Sequence, residues 1–152
     1  MKIRDCMKRN VVSIPETSTI RKAAAVFVKH HVGLLPVIDQ NNRLVGVMGL
    51  RDLLSLELPD FVNFVVDVDF VHDFGAVETT HPSAKMLDES IKILMKPPIT
   101  VPENSGLLRA YALMLQHNLH DMPVVSEDGQ LVGMASRVDI GTAIVSAWAK
   151  VE

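Results

Sequence analysis

The stretch Leu44-Val45-Gly46-Val47-Met48-Gly49-Leu50-Arg51-Asp52 returns, 87 positions later, as Leu131-Val132-Gly133-Met134-Ala135-Ser136-Arg137-Val138-Asp139. Just upstream, Leu35-Pro36-Val37-Ile38 is answered by Met122-Pro123-Val124-Val125 at the same shift. From Pro15 to Leu53 the register holds without a gap, with 12 of 39 positions identical. Chance would give roughly two or three at ordinary residue frequencies. Further out, Met7-Lys8 matches Met95-Lys96 at a shift of 88, one residue out of register. The chain is an internal duplication, and the unit that is duplicated sets the fold.

Each copy reads as the same succession of elements. Val11-Val12-Ser13-Ile14 and Ile99-Thr100-Val101 are β-branched runs that end at a proline, as short strands do. Thr17-Ser18 and Asn104-Ser105 then supply capping residues ahead of helical spacing: Ile20, Ala23, Ala24 and Phe27, answered by Leu107, Ala110, Tyr111 and Met114. Both helices run out in polar residues at His30-His31 and His117-Asn118. Two apolar runs around Asp39-Gln40-Asn41-Asn42, or around Glu127-Asp128-Gly129, predict a hairpin. A second helix follows from near Asp52 or Asp139. One such unit cannot bury both faces of its sheet. Two can, so the expected fold is α+β, two βαββα repeats packed sheet to sheet around a shared core with pseudo-twofold symmetry. The expected limits are residues 1–58 and 89–152 for the repeats, with a linker over 59–88.

Composition narrows the function. Apolar residues make up 48% of the 152, and 15 Lys and Arg stand against 18 Asp and Glu, a net charge of -3. That balance argues against nucleic acid as a partner, which calls for a basic face. No run approaches the roughly 20 apolar residues that span a bilayer, and no signal peptide is visible, so the expectation is a soluble cytoplasmic protein without a membrane partner. Cys6 is the single cysteine and is read as structural. No catalytic constellation stands out, and an enzyme is not expected.

The succession of a Pro-Val strand, a turn, and a Leu-Val-Gly strand leading to Asp resembles the CBS motif, and its tandem arrangement resembles a CBS pair, or Bateman module. The resemblance covers about residues 3–56 and 91–149. The family's ligand signature is Gly, two apolar residues, then Ser or Thr with Asp three places on, which Gly133 to Asp139 meets in full. Residues three apart at a helix start point the same way. Asp139 is suited to accept from a ribose diol and Ser136 to donate to a phosphate, with Arg137 as a cation in reach. The resemblance further implies a purine slot between the first strand and the Pro-Val strand: Ile99, Thr100, Met122 and Pro123, with His120 and Asp121 close by. In the first repeat Gly49 replaces the hydroxyl, although Arg51 and Asp52 are kept. That cleft, lined by Val11, Val12, Leu34, Leu35 and Pro36, is expected to bind more weakly, to bind something else, or to stay empty.

The expected function is therefore a regulatory module that senses an adenine nucleotide or adenosyl compound and signals to a partner by conformational change. The candidate ligands are AMP, ADP, ATP and S-adenosylmethionine, with no obligatory cofactor. The alternative is an interaction scaffold whose clefts have lost their ligand. The resemblance also implies a homodimer formed through helices, for which Ala23-Ala24-Ala25 and Ala143 to Trp148 are suited, and an effector protein as recipient of the signal. Asp67, Asp69, His72, Asp73 and His81 have metal-ligand chemistry but no recognised spacing, and no metal site is expected. Phe61, Phe64, Phe70 and Phe74 make the linker aromatic enough to be expected to pack on the module, a dimer mate or a partner.

Overall fold

A computed structural model of the chain describes residues 1–57 and 81–152. The expectations for Phe61, Phe64, Phe70 and Phe74, and for Asp67, Asp69, His72 and Asp73, lie outside the described residues. Each repeat forms a three-stranded sheet. In the first, β1 (Ile14–Pro15) runs parallel to β2 (Leu34–Ile38), which pairs antiparallel with β3 (Leu44–Gly49). In the second, β4 (Val101–Pro102), β5 (Asp121–Val125) and β6 (Leu131–Ser136) repeat that order and register. Helix α1 (Ile20–His30) links β1 to β2 and α2 (Leu50–Leu54) follows β3. After the short α3 (Ala84–Leu87), the second repeat has α4 (Leu107–Gln116) and α5 (Arg137–Trp148) in the corresponding places.

The local chemistry explains these bounds. Thr19 caps α1 by accepting from the Lys22 N–H at 3.2 Å. The helix ends where His31 turns left-handed at φ 51°, and Asn118 does the same after α4 at φ 52°. The two hairpin turns also share a left-handed position, Asn42 in the first repeat and Gly129 in the second. The first strands are shorter than their β-branched runs predict. Only Ile14–Pro15 and Val101–Pro102 pair, because β2 and β5 offer them just two partners each, Val37-Ile38 and Val124-Val125. Val11, Val12, Ile99 and Thr100 precede the sheets as unpaired approaches.

Alternation along β2 and β5 sets the two faces of each sheet. Leu35 and Val37, like Met122 and Val124, are fully buried under the helices of their own repeat. Pro36 and Pro123 point to the opposite face and are buried as well. The apolar interior nevertheless divides into two clusters instead of the single core expected, and each cluster takes a segment from the other repeat. Ile3 and Met7, at the head of the first repeat, are buried with Val101, Met114, Met122 and Ile140 of the second. Ile91, at the head of the second, is buried with Ile14, Phe27, Leu35 and Met48 of the first, and Met95 packs against that cluster.

The crossing is fixed by backbone ladders. Lys8 donates to the Met134 carbonyl and accepts from the Met134 N–H at 2.8 and 2.9 Å. Lys96 and Val47 exchange the same pair of bonds at 2.9 Å each. The glycines of the duplicated Leu-Val-Gly triplets make room for it. A Cβ on Gly133 would lie 2.5 Å from the Met7 sulfur, and one on Gly46 would lie 2.7 Å from that of Met95. Only glycine permits a chain to cross so close to a strand. The hairpin tips also lock together, Leu44 N–H to the Gly129 carbonyl and Leu131 N–H to the Asn42 carbonyl.

Candidate functional site

The signature residues sit where β3 turns into α2 and β6 into α5. At the second junction Ser136 and Asp139 form a reciprocal capping box. The Ser136 hydroxyl accepts from the Asp139 N–H at 3.0 Å, and the Asp139 Oδ2 accepts from the Ser136 N–H at 3.0 Å. At the first junction half of the box survives: the Gly49 N–H donates to Asp52 Oδ2 at 2.8 Å, and Gly49 has no hydroxyl to answer the Asp52 N–H. In both repeats the box occupies one carboxylate oxygen. The other, Oδ1, faces a lysine of the opposite repeat, with Lys96 Nζ 2.6 Å from Asp52 and Lys8 Nζ 3.9 Å from Asp139.

Two clefts open beside these pairs. One, of about 230 Å³, is lined by Leu34, Val47 and Asp52 of the first repeat, with Lys96, Pro97, Ile99, Leu119, Asp121 and Pro123 of the second. The other, of about 270 Å³, is lined by Lys8, Asn10, Val11, Val12 and the residues from His31 to Leu34 of the first repeat, with Asp121 and Met134 of the second. Leu34 answers Asp121 and Val47 answers Met134 in the duplication, so the clefts are related by the pseudo-twofold axis. Leu34 and Asp121 border both.

This geometry regroups the residues expected from the sequence. Ile99 and Pro123 share a cleft with Asp52, whereas Val11, Val12 and Leu34 share the one beside the Lys8–Asp139 pair. The cause is the crossing: each leading segment lies on the other repeat's β-hairpin and carries its approach strand there. Leu35 and Met122 line neither cleft, because their side chains are wholly buried among apolar neighbours. Pro36, Gly49, Thr100, Ser136 and Asp139 are not among the lining residues of either cleft, and of the signature's polar residues Asp52 alone lines one. His120 is exposed, and its carbonyl accepts the Arg137 N–H at 3.1 Å.

Arg137 is also corrected. Its guanidinium turns away from the signature to the end of α4, where Nε donates to the Leu119 carbonyl and Nη2 lies 3.4 Å from Asn118 Oδ1 and 3.5 Å from the Met114 carbonyl. It ties down the turn that follows α4 instead of facing a phosphate. Arg51 lies exposed on α2, outside the lining of either cleft. Lys8 and Lys96, which the sequence reading did not select, are the cations that the fold brings to the carboxylates. The signal was present in the matched Met-Lys dipeptides.

Cys6 is half-buried against the second repeat's core. Burial pushes its thiol above the ordinary range, and the carboxylates of Asp139 and Asp5 add to the rise. This favours the unreactive thiol and agrees with a structural reading. No helix among the described residues is long and apolar enough to cross a membrane.

Paired β-hairpins with a carboxylate at each strand-to-helix junction, and two symmetry-related clefts between them, define a tandem-repeat cleft module. A sequence model of the CBS domain matches residues 3–58 and 89–146, and the chain belongs to the CBS domain family. CBSX1, a chloroplastic CBS domain-containing protein of Arabidopsis thaliana, is 28% identical over 138 residues, covering 88% of this chain and 58% of CBSX1. A homoserine O-acetyltransferase of Methanocorpusculum labreanum is 28% identical over 134 residues, covering 88% of this chain and 22% of that protein. The chain thus spans less than two thirds of both relatives. The crystal structure of Arabidopsis CBSX2 in complex with AMP aligns with a TM-score of 0.72 at 27% identity, covering 97% of this chain and 98% of that one.

Proposed function

We propose that the chain is a regulatory module, not an enzyme, that takes an adenine nucleotide in the clefts between its repeats. The single observation that carries this reading is the pair of strand-to-helix carboxylates, Asp52 and Asp139, each with one oxygen held by its capping box and the other turned to a lysine. A carboxylate with one fixed and one available oxygen suits a ribose diol, and a neighbouring ammonium suits a phosphate. Ile99, Leu119, Pro97 and Pro123 give one cleft apolar walls for a purine. Val11, Val12 and Val32 play the same part in the other, where Lys8 stands between the cleft and Asp139. The likeness to a CBS pair solved with AMP supports the same ligand class. Because a ligand in either cleft touches both repeats, its binding shifts their relative disposition by as much as it prefers one arrangement.

The test is a thermal-shift panel of AMP, ADP, ATP and S-adenosylmethionine on the wild-type chain, Asp52→Ala and Asp139→Ala. A ligand at 100 times its dissociation constant adds about 2.7 kcal/mol to stability, and one carboxylate variant or both should lose that gain. If none of the four stabilises the wild-type chain, the nucleotide reading is wrong and the scaffold reading takes its place.

We further propose a homodimer, in the cytoplasm, that passes its signal to a separate effector. Leu108 and Leu115 on α4, with Val138, Val145 and Trp148 on α5, are exposed, Leu108 and Val138 each at 74%. Apolar side chains in that number on two neighbouring helices support a covered surface. Ala23, by contrast, is fully buried within its own repeat and has no part in such a contact. Sedimentation of the wild-type chain and of Leu108→Glu/Val145→Glu checks this: the dimer is expected for the first and the monomer for the second, and a monomeric wild type refutes it.

A further inference from the structure

Lys96 and Lys8 belong to no part of the ligand signature, yet each meets the signature carboxylate of the opposite repeat. Their main chains are immobilised by two ladder hydrogen bonds apiece, to Val47 and to Met134. Their side chains are 66% and 71% exposed, against 15% and 17% for the aspartates they face. Each lysine is therefore a fixed stem with a movable ammonium; Lys96 lines one cleft together with Asp52, and Lys8 lines the other, with Asp139 behind it and outside the lining.

The capping boxes leave Oδ1 as the acceptor with spare capacity on each aspartate. In the Asp52 cleft that oxygen is in contact with Lys96 Nζ at 2.6 Å, and in the Asp139 cleft Lys8 Nζ stands off at 3.9 Å. In the Asp52 cleft a ribose hydroxyl that is to donate to Oδ1 has to displace the ammonium, whereas Asp139 Oδ1 has no ammonium within hydrogen-bond distance. An ion pair with one partner so exposed is weak and readily exchanged. The displaced ammonium then returns to water, or it finds an anion within the reach of a lysine side chain. A phosphate esterified to the same ribose is such an anion.

We propose that Lys96 is a latch opened by exchange, in which the ligand's ribose takes Asp52 and its phosphate takes the lysine, and that Lys8 is the same cation already standing open for the phosphate. The inference rests on the nucleotide reading above and deepens it, because it makes the clefts select nucleoside phosphates over nucleosides. The lysines are specificity-determining residues that reach each cleft only because the leading segments cross between repeats. Lys96, already in contact, opposes an uncharged nucleoside more strongly than Lys8 does.

Calorimetric titration of the full chain with AMP and with adenosine tests this. The wild type is expected to bind AMP at least about tenfold more tightly than adenosine, the scale of one charge-assisted contact. In Lys8→Met/Lys96→Met the ratio is expected to fall below about threefold, with adenosine binding the Asp52 cleft more tightly than in the wild type because Asp52 Oδ1 is no longer occupied. Lys8→Arg/Lys96→Arg should restore discrimination. Unchanged discrimination in the methionine variant, with both ligands still bound, overturns the latch and leaves nucleotide binding standing. Equal weakening of both ligands with a lowered melting temperature also overturns it, by reducing the lysines to structural props. A wild type that binds neither ligand removes the nucleotide reading, and the latch with it.

Discussion

The two clefts have one geometry and different walls. The Asp52 cleft has a glycine at the cap, a lysine in contact with the carboxylate and mostly apolar sides. The other cleft has Lys8, Asn10 and His31 in its wall, with the complete Ser136–Asp139 box behind Lys8, 3.9 Å from its ammonium. What the repeats share is backbone requirement: the glycine that a leading segment crosses, the left-handed turn positions, and the capping aspartate. Some side chains facing the clefts differ between the repeats while Lys8 and Lys96 answer each other. Asp121 stands where the first repeat has Leu34, and both residues border both clefts. Duplication thus preserved the scaffold and made the sites unequal.

The sharpest way to break the symmetry is through the crossing residues. Ile3→Ala and Ile91→Ala each empty a fully buried position and should each cost about 2–5 kcal/mol in chemical denaturation. In each variant, hydrogen exchange should rise first in the other repeat's sheet. Loss of protection confined to the mutated residue's own repeat would refute the crossing. Next come the glycines. Gly133→Ala and Gly46→Ala should each cost about 1–3 kcal/mol from overpacking. An added Cβ lies 3.0 Å from the Lys8 carbonyl oxygen at Gly133, and runs into the Met95 Cγ at Gly46.

The caps come third. Ser136→Ala should lower stability by about 1 kcal/mol. Gly49→Ser, which supplies the missing half of the box, should raise it by a few tenths. The smallest effect concerns Cys6, which has Leu94 as its counterpart and so reports on the Asp139 side alone. Its raised pKa leaves less thiolate at any pH below it, so alkylation at pH 7.5 should be slower than for a free thiol. Asp139→Asn removes a charge that opposes the thiolate, lowers the pKa and should quicken the reaction a few-fold. Asp5→Asn should do so to a lesser degree.

The repeat, the hairpins, the three long helices and the aspartates at the strand-to-helix junctions were all legible, because periodicity, turn residues and caps are local properties of the chain. The crossing was not. Ile3 and Met7 carry a pattern that says they are buried, and burial in their own repeat's core satisfies it as well as burial in the other's. Its trace was the Met-Lys pair facing a duplicated glycine. The misassignment of Arg137 has a similar origin. A cation beside a helix start reads as a phosphate ligand until the fold brings the turn after α4, with the Leu119 carbonyl and Asn118, within its reach. The division of residues between the clefts followed from the crossing and was wrong for the same reason.

The central claim is that each cleft joins the carboxylate of one repeat to the approach segment of the other. Titration calorimetry of AMP against Val12→Trp, Ile99→Trp, Asp52→Ala and Asp139→Ala, singly and in pairs, addresses it directly. A tryptophan at position 12 should abolish the same binding step as Asp139→Ala, and one at position 99 the same step as Asp52→Ala. Pairs within one cleft should then be no worse than either single change. If Ile99→Trp instead acts on the step lost in Asp139→Ala, the clefts are not shared between repeats and the account fails.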